Sequence, residues 1–178
     1  LAEKRLSADI TNFSSSSSSV NKGEGLKDTI QNIHAMKMDC VVMRHPVPGS
    51  CLHVSKFVDS VVINAGDGTH EHPTQALLDM MSLRERFKKL NGLNIAIVGD
   101  IIHSRVALSN IYGLQKMGAN VTLCGPPHLI PKGISELGVS INSDIDEVIE
   151  WADALNILRI QRERMGVGII PSVREYRD

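Results

Sequence analysis

The chain has 178 residues, of which 19 are Lys or Arg and 20 are Asp or Glu, and its net charge is -1. Because neither sign of charge is in excess, the composition argues against a protein that binds nucleic acid or an anionic membrane through its overall field. The apolar runs are much shorter than the ~20 residues that span a bilayer, so the composition predicts a soluble, cytoplasmic protein.

Short β-rich runs alternate with segments of helical spacing along the chain. The runs lie at 8–13, 39–44, 61–65, 94–100, 120–125 and 154–160. Most of them are continuous apolar stretches, which is typical of strands covered on both faces. Strand alternating with helix predicts an α/β protein with parallel sheets and flanking helices. A long helix predicted from Pro73 could bridge two sheets, so we assign one domain to 1–72 and a second to 73–178.

Six serines at 14–19 form the one low-complexity segment, and Lys22 follows in a predicted loop before the helix that begins near Leu26. On composition alone, a surface loop without a ligand is as good an interpretation as any function. A lysine on a mobile loop can also close over an anion.

Polar residues follow the predicted strands, where parallel α/β sheets bind their ligands. Arg44 stands at the end of the strand DCVVMR, and its guanidinium is a planar fork of donors suited to phosphate or carboxylate. An arginine at a strand end is also commonly solvated or part of a salt bridge. For Arg44 alone, the second interpretation is favoured.

The stretch VVINAGDGTHEHPTQALLD combines a strand, a glycine-bearing loop and a helix start. A helix amino terminus favours an anionic or polarised ligand, and His72 and Gln75 fall on the same side of its first turn. An imidazole can donate to a developing oxyanion, and an amide can both donate and accept. The alternatives are a purely structural helix cap or a metal ligand. No nearby set of Cys or carboxylate side chains completes a tetrahedral site, and the three cysteines lack CxxC spacing.

The segment NIAIVGDIIHSR has the order strand, glycine turn and helix that a dinucleotide site requires. Gly99 stands alone, however, and the second and third glycines of the fingerprint are missing. Arg105 at the start of the following helix could instead meet a carboxylate. A solvated arginine is the common alternative at such a position.

The segment ALNILRIQRERMG places Arg159 and Gln161 two residues apart after a predicted strand. In extended chain the two side chains share a face and could grip a dicarboxylate. A solvated charged helix would explain the later Arg and Glu residues, but not these two.

In order along the chain, five segments resemble the catalytic chain of the aspartate carbamoyltransferases. They are NKGEGLKDT, VVMRHP, VINAGDGTHEHPTQALLD, AIVGDIIHSRVALSN and LRIQRER. The resemblance implies the aspartate/ornithine carbamoyltransferase-like fold, with 1–72 as part of a carbamoyl-phosphate-binding domain and 73–178 as part of an aspartate-binding domain. It also implies that the chain is incomplete at both ends, since a Ser-Thr-Arg-Thr-Arg phosphate loop and a carboxyl-terminal Leu-Pro loop are missing, and that the 178 residues alone are inactive.

The resemblance implies transfer of a carbamoyl group from carbamoyl phosphate to L-aspartate in pyrimidine biosynthesis, with no metal or organic cofactor. Carried over residue by residue, Arg44, His72 and Gln75 bind carbamoyl phosphate, and His72 and Arg44 are the catalytic pair. Arg105, Arg159 and Gln161 orient aspartate. Ser18 and Lys22 match a loop that enters a neighbouring chain's site, where Ser18 would bind carbamoyl phosphate and Lys22 both substrates, which implies a homotrimer with shared sites.

Three other functions compete with this one. A catalytically silent structural relative could keep the fold, and the missing phosphate loop favours it, whereas the intact set of arginines, His72 and Gln75 weighs against it. An ornithine carbamoyltransferase shares the helix start but not the LRIQRER segment or the AGDG loop. A nucleotide-binding domain would need a ribose-binding carboxylate after the strand NVTLC. Regulatory chains or other pyrimidine-pathway enzymes are compatible partners.

Overall fold

The computed structural model describes residues 2–13 and 25–160. Its helices are α1 (Ala2–Arg5), α2 (Leu26–His34), α3 (Ser50–Val54), α4 (Pro73–Phe87), α5 (Arg105–Lys116) and α6 (Ile145–Trp151). Its strands are β1 (Cys40–His45), β2 (Val61–Asp67), β3 (Asn94–Val98), β4 (Asn120–Cys124), β5 (Ser140–Ile141) and β6 (Ala154–Ile157). None of the described helices is both long and apolar enough to cross a membrane.

The described residues separate into two compact units. The first holds those of 1–41 and 52–63, and the second holds those of 42–51 and 64–178. The boundary that we drew from the sequence, between 72 and 73, stays a prediction about the functional domains. All of the described candidate site residues belong to the second unit.

A four-stranded sheet of order β5-β4-β3-β6 forms the centre of the second unit. The three pairs are parallel, and β3 lies between β4 and β6, with Ile95 opposite both Val121 and Ala154. Ile97 and Leu123 are fully buried and pack with residues of α5 in the main hydrophobic core. The predicted parallel α/β fold is confirmed.

Helix α5 begins at Arg105 because Ser104 caps it. The Ser104 side chain accepts a hydrogen bond from the backbone N of Ala107, at 3.2 Å, which satisfies one of the free N–H groups of the first turn. Ile111 and Leu114 bury the apolar face of α5 in the core. The cap therefore fixes Arg105 at the amino end of a rigid helix.

In the first unit, Ile30 and Ile33 bury one face of α2. The strand predicted at 8–13 is wrong. These residues form no strand, and the run is largely exposed, with Phe13 at 48% exposure. Within the described residues no neighbouring strand offers a hydrogen-bonding partner, so β propensity alone does not produce a strand there.

Two further expectations about burial need correction. The apolar surroundings of Cys40 and Cys124 in the sequence favour buried packing for both, but of the two only Cys124 is buried, and Cys40 is exposed at the beginning of β1. The last predicted strand is shorter than 154–160, ending at Ile157, and it is not covered on both faces, since Leu155 and Ile157 are 41% and 65% exposed. Within the described chain β6 lies at the edge of its sheet, so apolar composition does not ensure that both faces are covered.

Candidate functional site

Asp67, at the carboxyl end of β2, ties two loops of the second unit together. Asp67 is 2% exposed, and its carboxylate accepts hydrogen bonds from the backbone N of Gly49 at 2.7 Å and of Glu71 at 3.1 Å. Nδ2 of Asn64 donates a third bond, at 3.0 Å. Burial alone would raise the pKa of Asp67, but the hydrogen bonds and the neighbouring His70 outweigh it and hold that pKa below its ordinary value. A stable carboxylate therefore fixes the loop from which His72 follows.

Arg105 lies against the same loop and is only 6% exposed. Its Nη1 donates to the carbonyl oxygen of Gly68 at 3.1 Å. A Cβ added to Gly66 would stand 2.8 Å from Cζ of Arg105, and Gly66 has a φ of +119°, a conformation that side chains rarely adopt. The AGDG sequence thus makes the space in which the guanidinium lies, a role that sequence analysis did not assign to it.

His72 is the N-cap residue of α4, and Pro73 is the first residue of that helix. Its backbone N donates to Oγ of Ser109 at 2.9 Å, and that hydroxyl in turn donates to Oε2 of Glu71. The imidazole itself makes no capping hydrogen bond, which argues against a purely structural cap. Nδ1 lies 3.2 Å from Oγ1 of Thr74. When Thr74 donates to Nδ1, the neutral ring carries its proton on Nε2 and can offer it to a ligand.

The structure brings Arg44 and Arg105 within electrostatic range of His72. Burial lowers the pKa of His72, and the positive charges of Arg105 and Arg44 lower it further, against a smaller opposite effect of Asp79. A neutral imidazole near two cations is suited to donate a hydrogen bond to an anionic or polarised ligand. Whether these residues bind substrate stays a prediction.

The lowered pKa of His72 predicts how its ring titrates. Because the folded state disfavours the protonated ring, His72 is expected to stay neutral at pH 7 and to take up its proton only below the ordinary value of 6.5. The stability linked to this group is then complete above that value and is lost as the pH falls below it. Arg44→Gln removes one cation and should raise the pKa, which NMR titration of the ring would measure in the ligand-free protein.

Arg84→Gln, on an exposed part of α4, is the matched control and should leave the titration unchanged. A wild-type ring that titrates at or above 6.5, or that ignores Arg44→Gln, would contradict the electrostatic description of the site.

Gln75, in the first turn of α4, belongs to a network centred on Asp79. Nε2 of Gln75 donates to Oδ1 of Asp79 at 2.9 Å. Oδ2 of Asp79 accepts from Nδ2 of Asn110 at 2.7 Å and of Asn156 at 3.4 Å. Sequence analysis missed Asp79, although its spacing of four residues from Gln75 on a predicted helix would have indicated the contact.

Arg159 is exposed and lies just beyond β6. The preceding residue, Leu158, is held to the sheet by its backbone N, which donates to the carbonyl oxygen of Val98 at 2.8 Å. The other three predicted site residues, Ser18, Lys22 and Gln161, lie outside the described residues.

The turn after β3 is closely packed by main chain. A Cβ added to Gly99 would stand 2.9 Å from the carbonyl oxygen of Leu158, and one added to Gly125 would stand 2.6 Å from that of Gly99. Asp100 is fully buried beside them and lies 2.7 Å from Nδ1 of His103. In a dinucleotide site the pyrophosphate approaches the backbone at this turn, so the crowding argues against dinucleotide binding. In the described part of the chain no His, Cys, Asp and Glu side chains gather as a metal-binding group.

Residues 1–85 match the family model described as "Aspartate/ornithine carbamoyltransferase, carbamoyl-P binding domain". The chain is 58% identical over 176 residues to the aspartate carbamoyltransferase catalytic subunit of Christiangramia forsetii, a match that covers 99% of this chain and 57% of that protein. The chain belongs to the aspartate/ornithine carbamoyltransferase family. It is also 58% identical, over 175 residues, to the catalytic subunit of Gemmatimonas aurantiaca, covering 98% of this chain and 55% of that one.

Solved structures of the same family share this fold. The catalytic subunit of M. jannaschii aspartate transcarbamoylase has a TM-score of 0.80 and 36% identity, over 99% of this chain and 58% of that chain. Aspartate transcarbamoylase from Trypanosoma cruzi, in complex with carbamoyl phosphate and aspartate, has a TM-score of 0.83 and 30% identity, over 98% and 59%. The present member of the aspartate/ornithine carbamoyltransferase family thus spans little more than half the length of these relatives.

Proposed function

We propose that the full-length protein transfers the carbamoyl group of carbamoyl phosphate to the amine of L-aspartate, giving N-carbamoyl-L-aspartate and phosphate for pyrimidine biosynthesis. One observation carries the proposal. A half-buried His72 at a helix start, with its pKa held down by burial and by Arg105 and Arg44, is a neutral donor beside two cations. Support comes from the 58% identity to aspartate carbamoyltransferase catalytic subunits and from the T. cruzi relative that binds both substrates.

In the proposed reaction the aspartate amine attacks the carbonyl carbon, a C–N bond forms, the C–O bond to phosphate breaks, and the proton that the amine loses passes to the departing phosphate. Arg44 holds the phosphate and carbonyl oxygens, and His72 donates a hydrogen bond to the carbonyl oxygen as negative charge develops there. Gln75 holds the carbamoyl amide. Orientation of the two substrates and stabilisation of charge supply the rate enhancement, without a covalent intermediate or a cofactor.

The second substrate is assigned to the arginines after β3 and β6. Arg105 and Arg159 orient the aspartate carboxylates, with Gln161 beside Arg159 in the sequence. Ser18 and Lys22 complete the site in a neighbouring copy, so the protein works as a cytoplasmic homotrimer. These last assignments rest on the resemblance of the chain to its family.

A bisubstrate analogue with a phosphonate at one end and a dicarboxylate at the other tests both halves of the proposed site together. Binding to the full-length protein, measured by calorimetry, is expected to be much tighter than binding of either substrate alone, and carbamoyl aspartate is expected to form in a colorimetric assay. Product formed from ornithine but not from aspartate would favour the ornithine enzyme. Absence of both binding and turnover would favour the silent relative.

A further inference from the structure

We propose that Asp79 is a positioning residue that turns the Gln75 amide so that Oε1, and not Nε2, faces the donor substrate. Gln75 thereby selects an acyl phosphate that carries an N–H group, which is carbamoyl phosphate and not acetyl phosphate. The inference rests on the proposed function and adds a determinant of substrate choice to it.

The hydrogen bonds of Asp79 allow only one orientation of the three neighbouring side-chain amides. A carboxylate accepts hydrogen bonds but donates none, and the two oxygens of Asp79 face the side chains of Gln75, Asn110 and Asn156. Each of the three amides must therefore turn its NH₂ group toward Asp79. For Gln75 this fixes Nε2 at 2.9 Å from Oδ1, so that Oε1, on the other arm of the planar amide, points away from Asp79.

Oε1 of Gln75 has no hydrogen-bond partner within the part of the chain that the structure describes. It is an acceptor in a site whose other assigned groups, Arg44, Arg105 and a neutral His72, are there to donate. A carbamoyl group brings two N–H donors to such an acceptor, whereas the methyl group of acetyl phosphate brings none. Because an unpaired polar group in a site costs affinity, Oε1 disfavours the acetyl compound.

The isosteric substitution Asp79→Asn reverses this arrangement. Asn110 and Asn156 still present NH₂ groups, so they hold the new Oδ1 of residue 79 on their side, and its Nδ2 then faces Gln75. The Gln75 amide is expected to turn over, which places Nε2 against the N–H groups of the carbamoyl donor. Two donors facing each other weaken binding of carbamoyl phosphate, while the methyl group of acetyl phosphate loses little.

The experiment compares the KM of carbamoyl phosphate with the inhibition constant of acetyl phosphate as its competitor, in the full-length enzyme. The preference is the inhibition constant of acetyl phosphate divided by the KM of carbamoyl phosphate. Asp79→Asn should lower this ratio by about 10-fold or more, the loss expected for one hydrogen bond. Asp146→Asn, at an exposed acid of α6, is the matched control and should leave the ratio unchanged. A fall of both affinities by the same factor, or an unchanged ratio, would overturn the inference, since a merely structural role does not change selectivity.

A double-mutant cycle tests whether Asp79 acts through Gln75. Gln75→Leu should lose the same preference, and adding Asp79→Asn to it should change the ratio no further. Additive losses would overturn the mechanism.

If Asp79→Asn does not fold, Asp79→Ser removes the same constraint, because a hydroxyl both donates and accepts, and the preference should again fall. If the wild-type protein carbamoylates aspartate but does not prefer carbamoyl phosphate over acetyl phosphate, this inference alone is wrong. If it carbamoylates nothing, the proposed function is wrong.

Discussion

His72→Ala is expected to lower the turnover number of the full-length enzyme by about 10²–10³, the usual effect of removing one donor to a developing oxyanion. The KM of carbamoyl phosphate should change far less, because the donor acts mainly when charge builds on the carbonyl oxygen. The backbone N of residue 72 keeps its bond to Ser109 in the variant, so the helix start is preserved. Initial rates of carbamoyl aspartate formation over a range of both substrates would measure the two constants.

His128→Ala is the matched control for this prediction. His128 is exposed in the short 3₁₀ helix Pro127–Leu129, away from the assigned residues in sequence, and its loss should leave turnover unchanged. An undiminished turnover number in His72→Ala would remove the imidazole from the mechanism.

Arg159→Ala is expected to raise the KM of aspartate by about 10- to 100-fold, which corresponds to the loss of a charge-assisted hydrogen bond to a carboxylate. Binding of carbamoyl phosphate should stay close to that of the wild type, because Arg159 is not among the residues assigned to that substrate. Aspartate saturation curves at a fixed, high concentration of carbamoyl phosphate measure the effect.

Arg84→Ala removes an exposed arginine from α4 and serves as the control for charge. It should leave aspartate saturation as it is in the wild type. Equal curves for Arg159→Ala and the wild type would show that the second substrate is bound elsewhere.

The sequence predicts the sheet well where its residues are buried on both faces. The continuous apolar runs of β3 and β4 lie in the core, and helices begin at Pro73 and at Arg105, as predicted. The prediction failed at 8–13, because pairing and not composition decides whether a short run becomes a strand. It overestimated the burial of β6, because sequence spacing does not tell which strand lies at an edge.

The candidate site was predicted residue by residue through family resemblance, but its supporting contacts were not. Asp67 and Asp79 resemble ordinary surface carboxylates in the sequence, and only the fold shows that Asp67 joins two loops and that Asp79 also faces Asn110 and Asn156. Long-range contacts of this kind, such as the one between residues 79 and 156, have no signal in local spacing.

The crowded turn at Gly99 limits how this protein can change over time. Even a methyl group at position 99 would push against the main chain at Leu158, and the next residue is the arginine assigned to aspartate. A substitution at Gly99 would displace Leu158 and with it the side chain of Arg159. A residue that is not assigned to bind substrate could in this way alter which amino acid the proposed enzyme accepts. A substitution at the exposed Arg159 itself would alter the choice of acceptor more easily than one at the crowded Gly99.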